Sequence, residues 1–192
     1  KNKIEECQLL VDSQQIKSGT VTALIGDFSP NSIALFLALI QKSCIIVPLT
    51  RASNNNEKTL FDIAQVESVF RVHENENITQ ETASNNTGNE YYKVIRKRGH
   101  PGLVLFTSGT SGKPKAAVHD FLSLLEKFKT RKKSLRTLNF LLFDHWGGLN
   151  TMLHILSNGG VVIATKDRSP ENVCRLIEKH KIELLPASPT FL

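Results

Sequence analysis

The 192-residue sequence has only three cysteines, Cys7, Cys44 and Cys174, and no C-x-x-C pair. Their odd number and wide separation exclude a zinc-site spacing and a disulfide framework, and they fit a reduced, cytoplasmic compartment. Long apolar runs are missing as well. The longest, Ile33–Ile40, falls far short of the about 20 residues that span a bilayer. Its internal position does not suit a signal peptide. No internal repeat of fixed period is present, which sets aside solenoid architectures. The chain starts at Lys1 rather than a methionine, and "ASPTFL" at its end has no tail character. It is therefore expected to be an excised piece of a longer protein, long enough for one α/β domain or most of one.

What is abundant is positive charge. The formal net charge is +6, much of it in "RKRGH" (Arg96–His100) and "KFKTRKK" (Lys127–Lys133). No nucleic-acid motif accompanies these clusters, so they read as lysine-rich solvated faces, compatible with modest attraction for small anions such as nucleotides. Asn77-Ile78-Thr79 and Asn85-Asn86-Thr87 match glycosylation acceptors formally, and in an asparagine-rich stretch they read as chance.

Periodicity predicts alternating strands and helices. "VTALI" (Val21–Ile25) reads as a strand. Ser29 and Pro30 form a helix start, with Ile33, Phe36, Leu37 and Ile40 on one face. "CIIVPL" (Cys44–Leu49) follows as a buried strand, giving a strand–helix–strand unit with parallel strands. Residues 53–58 read as a loop, "TLFDIAQVESV" as a helix and Val69–Val72 as a short strand. Residues 73–90 have almost no apolar content and read as a flexible polar connection. That divides the chain into a first α/β subdomain, 1–72, the connection, 73–90, and a second α/β segment, 91–192. Within the second segment "GLVLFT", "LNFLLF", "GVVIAT" and "IELLPA" read as strands. "AAVHDFLSLLEKFK", "GLNTMLHIL" and "SPENVCRLIEKH" read as helices, the last with the Ser169-Pro170 start signature. The fold class is α/β, with mainly parallel sheets covered by helices.

The segment richest in chemistry is "LVLFTSGTSGKPKAAVHD", residues 103–120. An apolar strand runs into Thr107, Ser108, Gly109, Thr110, Ser111, Gly112, Lys113, Pro114 and Lys115. Glycines let backbone N–H groups approach a ligand, hydroxyls donate, and lysines meet phosphate oxygens. This is not a Walker A loop: Thr107 stands where its first glycine would be, and Lys113 is followed by Pro114. Nor does G-x-G-x-x-G occur in it.

"FTSGTSGKPKAAVH" (Phe106–His119) closely resembles the signature loop of the adenylate-forming superfamily, which includes acyl- and aryl-CoA synthetases, luciferases and peptide-synthetase adenylation domains. The sequence matches every position of the T/S-S/T-G-T-T/S-G-x-P-K core and departs with Ala116, where glycine is usual. Gly26–Thr50 is similar to an early family segment, with Ser43 and Cys44 as its small residues. Leu141–Gly160 resembles the H-x-x-G region, with His145 and Gly148 in register, and "ASPTFL" resembles the segment preceding the acyl pocket. The resemblance covers nearly the whole chain and implies a partial N-terminal domain of the adenylate-forming ligase fold.

It also implies a reaction. ATP and a small carboxylic acid give an acyl-adenylate and pyrophosphate; a thiol of CoA or phosphopantetheine, the latter on an acyl carrier protein, then takes the acyl group. By resemblance, Thr107, Ser108, Gly109, Thr110, Ser111, Gly112, Lys113 and Lys115 hold the ATP phosphates, and Thr110 contacts Mg²⁺. His145, Trp146, Gly148 and Asp144 lie at the acid substrate. His119 takes a structural role. No catalytic residue is assigned. Phe143-Asp144 also mimics the F-D pair of amino-acid-activating domains, whereas His145-x-x-Gly148 fits the acyl/aryl ligase spacing, which is favoured. A third alternative is a truncated, non-catalytic binding protein that keeps the fold. The family's later adenine, ribose and C-terminal lysine segments do not occur in these residues, so the piece alone is expected to be inactive. Neither nucleic acid nor a membrane span is expected.

Overall fold

The structure of the protein, a computed structural model, describes residues 2–83, 88–108 and 114–187. The chain divides into two units, Lys1–Leu124 and Leu125–Leu192.

In the first unit, strands β1 (Val21–Ile25), β2 (Ile45–Leu49), β3 (Ser68–Val72), β4 (Ile78–Thr82), β5 (Gly102–Ser108) and β6 (Pro114–Asp120) form one sheet. Their order is β4-β3-β1-β2-β5-β6. The pairs β1–β2, β1–β3 and β2–β5 are parallel, while β3–β4 and β5–β6 are antiparallel. A parallel centre thus carries one antiparallel strand on each edge. Every residue of β1 and β2 is buried, as expected for parallel strands with both faces covered.

Helices α1 (Asn2–Ser13), α2 (Pro30–Gln41), α3 (Glu57–Ala64) and α4 (Glu90–Arg98) accompany the sheet. Ser29 caps α2 by accepting from the Ser32 amide, with Pro30 in the first turn. The buried stripe of α2 is Ser32, Leu35, Phe36 and Leu39, with Ala34 and Ala38. Ile33, Leu37 and Ile40 are only partly buried, a rotation from the expected face. The helix is apolar nearly all round, and α1 also packs on it.

Several expectations are corrected. Residues 51–56 form a 3₁₀ turn into α3 rather than a plain loop. The helix ends at Ala64 because Gln65 turns left-handed, at φ 53°; its N–H donates to the Asp62 carbonyl and the Val66 N–H to the Phe61 carbonyl. The stretch 73–90 is not a featureless connection: it contains β4, an edge strand with mostly exposed, polar positions, which apolar content could not flag. Strands from both sides of it share one sheet. The "RKRGH" cluster is the last turn of α4 followed by Gly99 at φ 67°. Cations there favour the helix dipole, and glycine suits the left-handed cap.

Glu67 and Arg96 tie the amino end of β1. Glu67 accepts from the Val21 amide at 2.7 Å and from the Arg96 guanidinium at 2.8 Å. Arg96 Nε donates to the Gly19 carbonyl at 2.8 Å.

The largest correction concerns residues 116–129, expected as a helix. Residues 114–120 are β6, and only the short α5 (Phe121–Leu125) follows. Phe121 is buried, edge-on to Phe36 with ring centroids 5.7 Å apart.

In the second unit, a 3₁₀ turn (Glu126–Phe128) precedes β7 (Thr137–Asn139), α6 (Trp146–Ser157), β8 (Val162–Ala164) and α7 (Pro170–His180). β7 and β8 are parallel, and Leu184 bridges Thr137 in parallel. The strands expected over 138–143, 160–165 and 182–187 are thus shorter than predicted. Ser169 caps α7 through the Asn172 amide. The core of this unit gathers Leu138, Phe140 and Val173, flanked by Ile163, Leu176 and Leu185.

Candidate functional site

β5 and β6 pair from Gly102↔Asp120 to Thr107↔Lys115 and Ser108↔Pro114. The segment that joins them, 109–113, is therefore the connection of a β-hairpin, with both ends held by the ladder. Gly109, Thr110, Ser111, Gly112 and Lys113 lie outside the described residues, and with them the expected Mg²⁺ contact of Thr110. Their described flanks are clear. Thr107 and Lys115 are exposed cross-strand partners at the mouth of the connection. Pro114, which has no N–H, stands first on an edge strand, where it costs no central ladder bond. No helix N-terminus follows, because the chain enters β6 at Pro114, so the helix-dipole device of helix-bound phosphate loops is not available at this connection.

Ala116 sits in extended backbone opposite Phe106, and both pack on the core that Val47, Val69 and Val104 help to form. It is not among the residues with positive φ. Alanine is therefore compatible with this position, where glycine's freedom is not required. His119 pairs with Leu103 further along β6.

The far end of the hairpin is clamped. Asp120 accepts from His100 Nδ1 at 2.9 Å and from Arg98 at 2.9 Å. Burial alone would raise the Asp120 pKa. The His100 and Arg98 hydrogen bonds, the His100 charge and the Ser123 amide outweigh it, and the pKa lies below its usual 3.8.

In the second unit, Asp144, His145, Trp146 and Gly148 come together on the turn that opens α6. Asp144 Oδ1 lies 2.7 Å from His145 Nδ1. The Asp144 side chain is 20% exposed and that of His145 62%, so a partly sheltered carboxylate orients an exposed imidazole. Trp146 begins α6, and the Lys127 ammonium stands 4.7 Å from its ring centroid and 5.1 Å from that of Phe128, within cation–π range. Gly148 is buried, and its carbonyl accepts from Asn139 Nδ2 at 3.2 Å.

Lys127 and Asn139 are the residues that sequence reasoning missed. Asn139 ends β7 fully buried, and its Oδ1 has no partner among the described residues. The available signal was one amide inside the apolar run "LNFLLF". In the sequence Lys127 stands only as part of a charge run.

Cys7 and Cys44 are buried and Cys174 is exposed, all as free thiols; burial pushes the Cys44 thiol up to about 12. Among the described residues no group of His, Cys, Asp or Glu side chains could hold a metal ion. No helix there is long and apolar enough to cross a membrane.

The chain is 28% identical over 174 residues to a dimodular nonribosomal peptide synthase of Bacillus subtilis (strain 168), covering 85% of this chain and 7% of that protein. It is 24% identical to the trichosetin synthetase PKS-NRPS1 of Gibberella fujikuroi, covering 95% of this chain and 5% of the synthetase. The chain thus spans only a small part of the length of these relatives. Among solved structures, the inhibitor-bound N-terminal domain of FACL13 from Mycobacterium tuberculosis superposes with a TM-score of 0.74 at 17% identity, covering 98% of this chain and 55% of that one. This likeness concerns the fold: the α/β architecture matches the N-terminal part of adenylate-forming ligases. The model of the AMP-binding enzyme family matches residues 8–192, and the chain belongs to that family of adenylate-forming enzymes.

Proposed function

We propose that the chain is the N-terminal part of an ATP-dependent carboxylate ligase that forms an acyl-adenylate and passes the acyl group to the thiol of CoA or of a carrier-bound phosphopantetheine. Residues 107–115 meet the ATP phosphates through hydroxyls, backbone amides and the ammonium groups of Lys113 and Lys115. Exposure of Thr107 and Lys115 beside the hairpin connection supports this assignment. Magnesium, when bound, offsets the repulsion between the phosphates and the incoming carboxylate. His145, held by Asp144, faces the acid, with Trp146 and Gly148 beside it. Free cysteines support a cytoplasmic setting.

The observation that carries the acyl or aryl acid, rather than an amino acid, is the 2.7 Å bond between Asp144 and His145. An aspartate that recognises a substrate ammonium group presents its carboxylate to it, and here one of its two oxygens, Oδ1, already meets the neighbouring imidazole. The peptide-synthase relatives favour the second reading, amino-acid adenylation. ATP–pyrophosphate exchange by the natural polypeptide, with fatty, aryl and amino acids, separates the two. Exchange with the first two classes is expected, and exchange with amino acids alone overturns the assignment. The 192 residues alone are expected to bind ATP weakly without releasing pyrophosphate, as titration calorimetry and a pyrophosphate assay can check.

A further inference from the structure

The positive charge of the second unit is not spread over it. Residues 125–192 hold eleven Lys and Arg against six Asp and Glu, and residues 126–136 alone hold six against one. The excess of five is the same in both counts, so one short segment accounts for it. Its cations, Lys127, Lys129, Arg131, Lys132, Lys133 and Arg136, are all exposed.

The segment is anchored rather than loose. It starts with Lys127 over the Trp146 ring, at the first residue of α6. Further on, the Lys132 amide donates to Asn158 Oδ1, at the other end of α6. Next to it Gly160 leaves room for Ser134, whose hydroxyl a Cβ would strike. At its end Arg136 donates to the Lys181 carbonyl at 2.7 Å and to Glu183 at 2.9 Å through its amide. The basic segment therefore runs along a 12-residue helix, about 18 Å.

Cations at the C-terminal end of α6 also favour its dipole. That accounts for Lys132 and Lys133 and leaves the rest unexplained. Two of the six already engage carboxylates: Lys129 with Glu126 at 2.6 Å and Arg136 with Glu183 at 3.7 Å. The Arg131 and Lys132 side chains have no acceptor among the described residues. A fixed, one-signed surface whose cations accept carboxylates suits an acidic protein face, because little ordering is needed on binding.

We infer that the segment 127–136 is the docking surface for an acidic carrier domain that brings a phosphopantetheine thiol to the acyl group held beside His145. The inference rests on the carboxylate-ligase function proposed above. Continuity carries it: the surface begins at Lys127, on the ring adjoining His145. A nucleic acid would meet the same charge but offers no thiol. In the transfer, the thiol sulfur bonds to the acyl carbon. The bond from that carbon to the phosphate oxygen breaks, AMP leaves with its electron pair, and the thiol proton passes to solvent.

The test compares the natural polypeptide with the variant Arg131→Glu/Lys132→Glu/Lys133→Glu and the milder Arg131→Gln/Lys132→Gln/Lys133→Gln. The probe is an acidic acyl carrier protein in its apo form, followed by fluorescence anisotropy at low and high salt. Oligothymidylate is the competing probe. Carrier affinity is expected to fall on the order of tenfold or more in the glutamate variant and less in the glutamine variant, with the difference shrinking at high salt. ATP–pyrophosphate exchange and acylation of free pantetheine should be unchanged. Equal carrier affinity in all three proteins overturns the inference. So does oligothymidylate binding tighter than the carrier and lost in the variants. If no acid supports exchange while carrier affinity still falls, the docking surface stands and the assigned reaction fails.

Discussion

Thr107 and Lys115 face each other across the β5–β6 ladder, one pair before the connection closes. Both side chains are exposed, so neither contributes to the core, and each is placed by strand pairing alone. A hydroxyl and an ammonium group are thereby held as a fixed pair at the entrance of the hairpin loop.

Replacing Lys115 with alanine should weaken ATP binding by roughly tenfold, the loss of one charge-assisted contact to phosphate. Thermal stability should move by less than about 0.5 kcal/mol, as for exposed positions generally. Calorimetric titration alongside thermal unfolding measures both, and unchanged ATP affinity would remove Lys115 from the phosphate site.

Ala116→Gly restores the residue usual in the family but gains nothing from the backbone, which is extended there. A loss of about 0.5–1 kcal/mol in stability is expected from the freer unfolded chain, with ATP affinity unaltered. Tighter nucleotide binding in the glycine variant would contradict the strand geometry.

The imidazole of His145 is oriented by Asp144. Asp144→Asn should raise KM for the acid by about tenfold through lost orientation, leaving KM for ATP unchanged, and His145→Ala should behave alike. Steady-state pyrophosphate release gives both constants. A shift confined to ATP would place this pair elsewhere in the mechanism.

Arg96→Met strands the Glu67 carboxylate and frees the Gly19 carbonyl. A loss of about 2 kcal/mol is expected for a part-buried charged group left without its partner. Glu67→Gln, which keeps an acceptor for the Val21 amide, should cost less. Urea denaturation ranks the two, and the reverse order would refute this account of the latch.

The Asp120 pKa is depressed in the folded chain. Its clamp therefore contributes stability that is fully present above the unfolded value, near the usual 3.8, and is lost as pH falls through the lower folded value. Thermal melting from about pH 5 to about pH 2 should show a steeper decline for the parent than for Asp120→Asn. Identical slopes would show that the acid limb arises at other carboxylates.

The parallel strands β1, β2 and β3 were legible because each is a short, mostly apolar run, interrupted only by Thr22 in β1 and by Ser68 and Arg71 in β3. Ser29-Pro30 and Ser169-Pro170 announced helices through caps that act within one turn. β4 was invisible: an exposed edge strand needs no apolar residues, only a partner with free backbone groups. β6 was hidden because "AAVHDFLSLLEKFK" satisfies a helical pattern locally, while pairing with β5 wins its first five residues, Ala116–Asp120, for the strand Pro114–Asp120.

The same division holds for the site. Sequence alone was enough to propose a phosphate loop at residues 107–115 and an acid site around His145, since glycines, hydroxyls and lysines at fixed spacing are local chemistry. Only the tertiary structure decided that the loop closes a hairpin and that Ala116 is tolerated. It also decided that an Asp144 oxygen meets the His145 ring, and that Lys127 and Asn139 belong beside α6. Those facts depend on residues distant in the chain competing for the same backbone groups and the same buried space, and no local window contains both competitors.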